Sequence, residues 1–268
     1  MTVLDNKMVV VKDLVKYYGD FQALKGVSFE VRKGEVFGLL GPNGAGKTTT
    51  IKILVGLLEP DGGTVSVLGK SPVNDPVYVK SVIGYIPEEV VLYNSLTPRE
   101  FLEFVISVRK LNSEAIELAK TLSKSFDLDK YWDQPIATLS QGNKQKVAII
   151  AALIHRPEVL VLDEPIKGLD AKSAKLLKEL IRMHVENGGS VIFSTHIMDI
   201  AASLCDRIAI IHEGRILAQG TMGELTEMTG GVNKTLEEVF LELTREKEEI
   251  KHMLEELRGV LGDENENL

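Results

Sequence analysis

The chain has one cysteine, Cys205, in 268 residues. A single thiol closes no internal disulfide and builds no cysteine-based zinc site, so a reducing compartment is the simplest expectation. Long hydrophobic runs are also missing. The longest uninterrupted one, VAIIAALI (Val147 to Ile154), falls far short of the ~18 residues that a membrane span needs. The opening stretch MTVLDNKMVVVKDL breaks its apolar residues with charges, unlike a signal peptide. Nor is there a basic excess: 31 Lys and Arg against 39 Asp and Glu give a net charge of −8. Such a surface disfavours non-specific attraction to nucleic acid. Internal repeats and long low-complexity segments are absent. Together these absences predict a chain soluble by itself, reaching a membrane only through a partner. What is present is 44% hydrophobic residues, enough to bury a sizeable core in one large domain or two small ones.

Strand texture opens the chain. GVSFEVRKG alternates like a half-buried strand, and EVFGLL is the near-continuous apolar run of a strand buried on both faces. A helix is expected after Gly46, with Ile51, Leu54, Val55 and Leu58 on one face. EPDGGTVSVLG reads as a turn and a strand. Residues ~88–156 read as a mainly helical subdomain, with Thr97-Pro98 a good helix start. Strand texture returns in EVLVLDEP and GSVIFSTH, separated by a helix from about Ala171 to Glu186, and RIAIIHEGRILAQG reads as a hairpin. Alternating strands and helices predict a doubly wound α/β core.

Three features carry chemistry by themselves. GPNGAGKTT comprises Gly41, Pro42, Asn43, Gly44, Ala45, Gly46, Lys47, Thr48 and Thr49 and fits the pattern G-x-x-x-x-G-K-[ST] between a buried strand and a helix. Chance would produce that pattern in about one chain in a hundred of this length. Its glycines let backbone N–H groups form an anion nest at a helix N-terminus. Lys47 would reach the β- and γ-phosphates of a nucleotide, and the Thr48 hydroxyl would ligate Mg²⁺. In EVLVLDEP an apolar strand ends at Asp163, a carboxylate placed to hold Mg²⁺ through water, and Glu164 follows as a group able to orient and deprotonate an attacking water. His196 ends another apolar strand and would face the same crevice, where a neutral imidazole can bond a γ-phosphate oxygen or the water.

With these motifs in this order, the sequence resembles the ATP-binding subunit of ABC transporters over residues ~8 to 225. The resemblance implies a P-loop NTPase core with an antiparallel β subdomain and an α-helical signature subdomain. It implies ATP and Mg²⁺ as ligands and ATP hydrolysis as the activity, with catalytic Glu164 and His196. KYYGDFQAL is similar to the adenine-stacking segment, with Tyr18 as the stacking residue and Tyr17 as a substitute. IGYIPEE is similar to the Q-loop, with Glu88 where a Gln is usual, and adds Glu88 to the metal contacts Thr48 and Asp163. LSQGN resembles the signature, usually LSGGQ. Ser140, Gln141 and Gly142 would close on the γ-phosphate held by an opposite subunit, and Ser140 also reads as a helix N-cap. PIKGLD resembles the D-loop: Asp170 is retained, and Lys167 stands where Ser is usual. The resemblance further implies a homodimer or heterodimer of ATPase subunits enclosing two ATPs. It also implies an integral-membrane permease as partner, at the cytoplasmic face of the cell membrane. PEEVVLYNSLTPREFLEF and TLEEVFLELTRE are similar to the drug- and sodium-export-like branch, which points to export.

Residues 1–230 are therefore expected to form the ATPase domain and 231–268 a C-terminal helical extension, with GDENENL as a disordered end. In the extension Leu236, Phe240, Leu243, Ile250, Leu254, Leu257 and Leu261 recur at 3- and 4-residue steps, with Lys247 the polar interruption. This seam fits a helix docked on its own domain or one paired with another subunit. Two other functions compete with transport: a soluble ATPase acting on nucleic acid or ribosomes, and a nucleotide-gated module without turnover. One ATPase domain, one cysteine and the acidic charge weigh against the first; Glu164 and His196 weigh against the second.

Overall fold

A computed structural model describes residues 6–230, 234–244, 253–254 and 256–257. Two sheets organise them. The first is three-stranded and antiparallel, ordered β2-β1-β4, from β1 (Lys7–Tyr18), β2 (Phe21–Arg32) and β4 (Gly62–Val67). The second is six-stranded, ordered β5-β6-β7-β3-β8-β9, from β5 (Ile83–Ile86), β6 (Val159–Asp163), β7 (Ser190–Thr195), β3 (Val36–Leu40), β8 (Arg207–His212) and β9 (Arg215–Gly220). Its strands run parallel except β9, which returns antiparallel to β8. The Glu213-Gly214 turn between them has φ of 46° and 76°, the left-handed pair that matches a tight hairpin to strand twist.

Every residue of β3, β6 and β7 is buried, which is why these runs lack a polar face. Their alternate side chains separate into two cores. Val36, Leu160, Leu162, Val191 and Phe193 pack toward α3 (Pro98–Val108), α4 (Ser113–Ser125), α5 (Gln141–Leu153) and α6 (Ala171–Glu186). Phe37, Leu39, Val159, Val161 and Ile192 pack toward α1 (Lys47–Leu54) and the three-stranded sheet. Phe29 of β2 stacks on Phe37 of β3 with centroids 5.1 Å apart, joining the two sheets. Helix α6 keeps the bounds expected of it. The short α2 (Pro76–Val82) and the four-residue β5 are additions, too brief to show a period in the sequence. The Thr97 start of α3 is a full capping box with Glu100.

Helix α7 (Met198–Leu204) and helix α8 (Met222–Met228) flank a third core, which also receives α9 (Leu236–Thr244). Leu236, Val239 and Phe240 are buried there against Leu40, Ile208, Ile210 and Leu225. The first part of the extension is thus docked on its own chain. Val239, which the seam omitted, is fully buried. Ile250, Leu261 and Lys247 lie outside the described residues, and Leu254 and Leu257 are exposed. Removing the Phe240 ring should leave a cavity in this third core. Phe240→Ala is expected to lower unfolding stability in urea by about 3 kcal/mol; a loss under about 1 kcal/mol would mean that α9 contributes little to the ATPase core.

Candidate functional site

The carboxyl ends of β3, β7 and β6 lie side by side, and the segments after β3 and β6 line a crevice of about 470 Å³. Its lining includes Tyr18, Phe21, Gly44, Lys47, Thr48, Glu88 and Glu164. The loop after β3 runs from Gly41 to Gly46 and opens α1. Gly46 caps that helix at φ 110°, a conformation that L side chains avoid. A Cβ there would also lie 2.7 Å from Leu24. No side chain caps α1, in contrast to α3, α5 and α6. Its first amides therefore remain available to an anion, reinforced by the helix dipole.

Lys47 is 5% exposed, and its ammonium donates to the carbonyls of Gly41 at 2.7 Å and Pro42 at 3.1 Å. Glu164 Oε1 lies 3.7 Å from the same nitrogen. Burial lowers the Lys47 pKa, opposed by the charges of Glu164, Asp163 and Glu88. Asp163 ends β6 with no exposure at all. The Ser194 hydroxyl donates to its Oδ1, while Oδ2 is buried without a hydrogen-bond partner. Burial accordingly raises the Asp163 pKa.

Glu164 has φ 48°, uncommon for a residue with a side chain and costly unless its surroundings fix it. Its N–H donates to the Ser194 carbonyl at 3.2 Å, which anchors the bend to β7. The carboxylate is 7% exposed. It accepts from Thr195 Oγ1 at 3.3 Å and lies 2.8 Å from His196 Nδ1. His196 is not the last strand residue, as expected from sequence, but the first after β7, which ends at Thr195. The bend carries its ring out of the sheet, half in solvent and against Glu164. A buried ammonium, a buried carboxylate and an imidazole thus converge at the mouth of the phosphate loop.

The donor set fits Mg²⁺. No cluster of three or more His, Cys, Asp or Glu able to hold a metal occurs among the described residues. Mg²⁺ uses one or two protein oxygens and completes its shell with water and phosphate. The Thr48 hydroxyl and the spare Oδ2 of Asp163 supply that minimal set. Glu88 stands beside them, with Oε2 3.5 Å from Thr48 Oγ1 and Oε1 3.2 Å from Lys167 Nζ.

Tyr18 lines the crevice; Tyr17 does not. Neither packs into the core. Tyr17 is tied to Asp61 through its own N–H at 2.6 Å. Ser140, Gln141 and Gly142 are absent from the crevice lining. Ser140 caps α5, accepting from the Asn143 N–H at 3.3 Å. Gln141 lines a second cavity of about 530 Å³ with Glu88, Lys167 and Gly168. Asp170 lies outside the crevice as well, capping α6 through the Ser173 N–H at 2.9 Å and pairing with Lys146 at 2.8 Å. Lys146 holds the Asp170 carboxyl well below the usual carboxylate range.

Sequence reasoning missed four residues. Ser194 and Thr195 position Asp163 and Glu164, and a Ser or Thr in a buried strand carries no signal of its own. Lys146 acts through Asp170, a partner distant in the chain that the sequence does not reveal. Phe21 does carry a signal: it pairs with Tyr18 across the Gly19 turn and is 65% exposed, more than an apolar strand residue would be if it only packed.

The family profile described as ABC transporter matches residues 24–167. The chain is 39% identical over 240 residues to the ABC-type transporter ATP-binding protein EcsA of Bacillus subtilis, covering 89% of this chain and 97% of that protein. It is 38% identical over 217 residues to the Nod factor export ATP-binding protein I of Burkholderia orbicola, covering 81% and 71%. A solved ATP-binding subunit of an ABC transporter superposes with TM-score 0.85 at 36% identity, over 88% of this chain and 99% of that one. The dimeric ATP-binding cassette MJ0796, in a post-hydrolysis state with ADP and Pi, superposes with TM-score 0.73 at 26% identity, over 80% and 99%. The crevice built on β3, β6 and β7 therefore belongs to a member of the ABC transporter family, its ATP-binding and ATP-hydrolysing subunit.

Proposed function

We propose that two copies of this fold, identical or paired with a related subunit, close around two ATPs and drive a separate membrane permease, in the direction of export. Residues 1–230 form the ATPase domain, with residues ~88–156 as its helical subdomain, and 231–268 extend it. The observation that carries the catalytic reading is the Glu164 carboxylate, held between Lys47 and His196 at 3.7 and 2.8 Å. Adenine stacks on Tyr18. The amides of Gly41 to Thr49 cradle the phosphates, and Lys47 exchanges its carbonyl partners for phosphate oxygens. Thr48 and Asp163, with Glu88 nearby, would hold Mg²⁺, whose charge would offset that of the phosphates. Glu164 orients the attacking water and takes its proton. His196 fixes the Glu164 carboxylate through Nδ1 and leaves its other nitrogen for the γ-phosphate.

Dimerisation follows from what the crevice lacks. Ser140, Gln141 and Gly142, at the head of α5, do not line their own crevice, and they would serve the ATP of the facing subunit. The dimeric state of the MJ0796 cassette supports this reading, and Asp170 lies at the same border. The permease would dock in a groove of about 420 Å³ lined by Tyr85, Val91, Phe104, Val108, Ala151 and His155. Val91 is 82% exposed and Val108 64%, an apolar surface suited to a helix end of another protein. His155 adds no charge at neutral pH, because burial, reinforced by Arg109, lowers its pKa to about 4. Tyr85, Pro87 and Val91 wall both this groove and the cavity beside Glu88, so a shift of the docked helix reaches the nucleotide site directly. In this reading the subunit sits at the cytoplasmic face of the membrane. Export is supported by the name of the Nod factor relative.

Two outcomes are expected. Glu164→Gln should cut steady-state ATP hydrolysis by about a hundredfold or more, while size-exclusion chromatography with light scattering shows a dimer that forms only with ATP; undiminished turnover would remove Glu164 from its role. Val108→Asp should reduce co-purification with the permease about tenfold without loss of ATP binding, and equal recovery of the permease would place the docking surface elsewhere.

A further inference from the structure

Two side chains that depart from the family's usual pattern meet in space. Glu88 follows β5 and Lys167 lies in the turn after β6, 79 positions apart, yet their charged ends are 3.2 Å apart. The contact spans two loops that both border the nucleotide crevice. On one side Glu88 touches the Thr48 hydroxyl at 3.5 Å. On the other, the Lys167 N–H donates to the Glu164 carbonyl at 3.2 Å. Glu88 is also the wall between the crevice and the second cavity, and Lys167 lines only the latter. Lys167 therefore stands behind Glu88 as seen from the phosphate loop.

We propose that Lys167 is a positioning residue for ATP binding: it pairs with the Glu88 carboxylate, fixes it beside Thr48, and cancels the negative charge that Glu88 would otherwise present to the triphosphate. The pair is 65% and 40% exposed, and exposed pairs of this kind do little for folding. Its consequence lies in the ligand. Glu164 and Glu88 line the crevice beside Lys47, and the buried Asp163 carboxylate acts on the same ammonium, at the end where the γ-phosphate belongs. A bare Glu88 repels a polyanion held close by; a paired one does not. A neutral side chain at 88 needs no partner, so a Lys at 167 matters only because 88 is a Glu.

This inference rests on the nucleotide site proposed above, and a double-mutant cycle separates the two. Binding of a fluorescent ATP analogue is measured at low salt, with and without Mg²⁺, for the wild type, K167S, E88Q, E88Q/K167S, K167R and K47A. K167S should weaken binding about tenfold, most clearly without Mg²⁺, and the loss should shrink as salt is raised. K167R should restore binding, and E88Q/K167S should return to within about twofold of E88Q. If K167S weakens binding equally in the wild-type and E88Q backgrounds, Lys167 acts on the nucleotide itself and the pairing role is overturned. Unchanged binding in K167S overturns it too. If K47A binds as tightly as the wild type, the analogue is not in this crevice and the nucleotide-site reading falls with it.

Discussion

The site depends on one arrangement: three parallel strands, β6, β7 and β3, lie adjacent and end level with one another. β3 delivers the phosphate loop, β6 delivers Asp163 and Glu164, and β7 delivers Ser194, Thr195 and His196. Parallel neighbours must be buried on both faces, so the middle of each strand is apolar and polar side chains stand at its ends, Ser190 opening β7 and Asp163, Ser194 and Thr195 closing β6 and β7. The chemistry is confined to the carboxyl edge. Neighbouring ends also support one another. Ser194 of β7 fixes Asp163 of β6 through its hydroxyl and Glu164 through its carbonyl. That second contact and the Lys167 N–H on the Glu164 carbonyl together hold the left-handed backbone of Glu164.

A second unit is attached to this edge. The turn that begins at Glu164 is bound to the head of α5 at three points. Gln145 Nε2 donates to the Pro165 carbonyl at 3.0 Å, and Lys146 pairs with Asp170 at 2.8 Å. Gly142 faces the Gly168 carbonyl so closely that a Cβ would lie 2.5 Å from it. Gly142 thus has a requirement of its own chain, independent of any ligand. Gln145 and Lys146 are almost fully buried, which shields the Gln145–Pro165 bond from water, while the Asp170 carboxylate on Lys146 stays half in solvent. The segment carrying Glu164 and the helix carrying Ser140 are packed as one unit. In the dimer proposed here those two groups serve different ATPs, and this packing is the physical link between the two sites.

Much of this could be read from the sequence where one element announces its own environment. The two-face burial of β3, β6 and β7 appears as unbroken apolar runs, and α6 declares itself by its period and by Asp170 at its head. The loop from Gly41 to Thr49 is legible because its chemistry needs a fixed order of residue types. Illegible parts are of two kinds. Short elements such as β5 have too few residues to display alternation, and their position comes from pairing with β6. Groups such as Ser194, Thr195 and Lys146 act only through residues distant in the chain. The Glu88–Lys167 pair belongs to the second kind: each residue alone reads as a departure, and only the fold makes them one feature. The extension shows a third limit. Its spacing was compatible with docking or pairing, and the burial of Leu236, Val239 and Phe240 settles the matter for α9 alone.

The electrostatics of the crevice follow from this geometry. Asp163 is fully buried with one oxygen unpartnered, and burial raises its pKa. Lys47, equally buried, has a lowered pKa and leans on backbone carbonyls and on Glu164. Lys47 meets the Glu164 carboxylate at 3.7 Å, and Asp163 keeps one oxygen without a hydrogen-bond partner. A polyanion would offer Lys47 further acceptors, and a hard divalent cation would offer Asp163 a counter-charge. A free anion alone would leave Asp163 uncompensated and add repulsion from Glu164. In the proposed reading, a nucleotide arriving with its metal would therefore answer both groups at once.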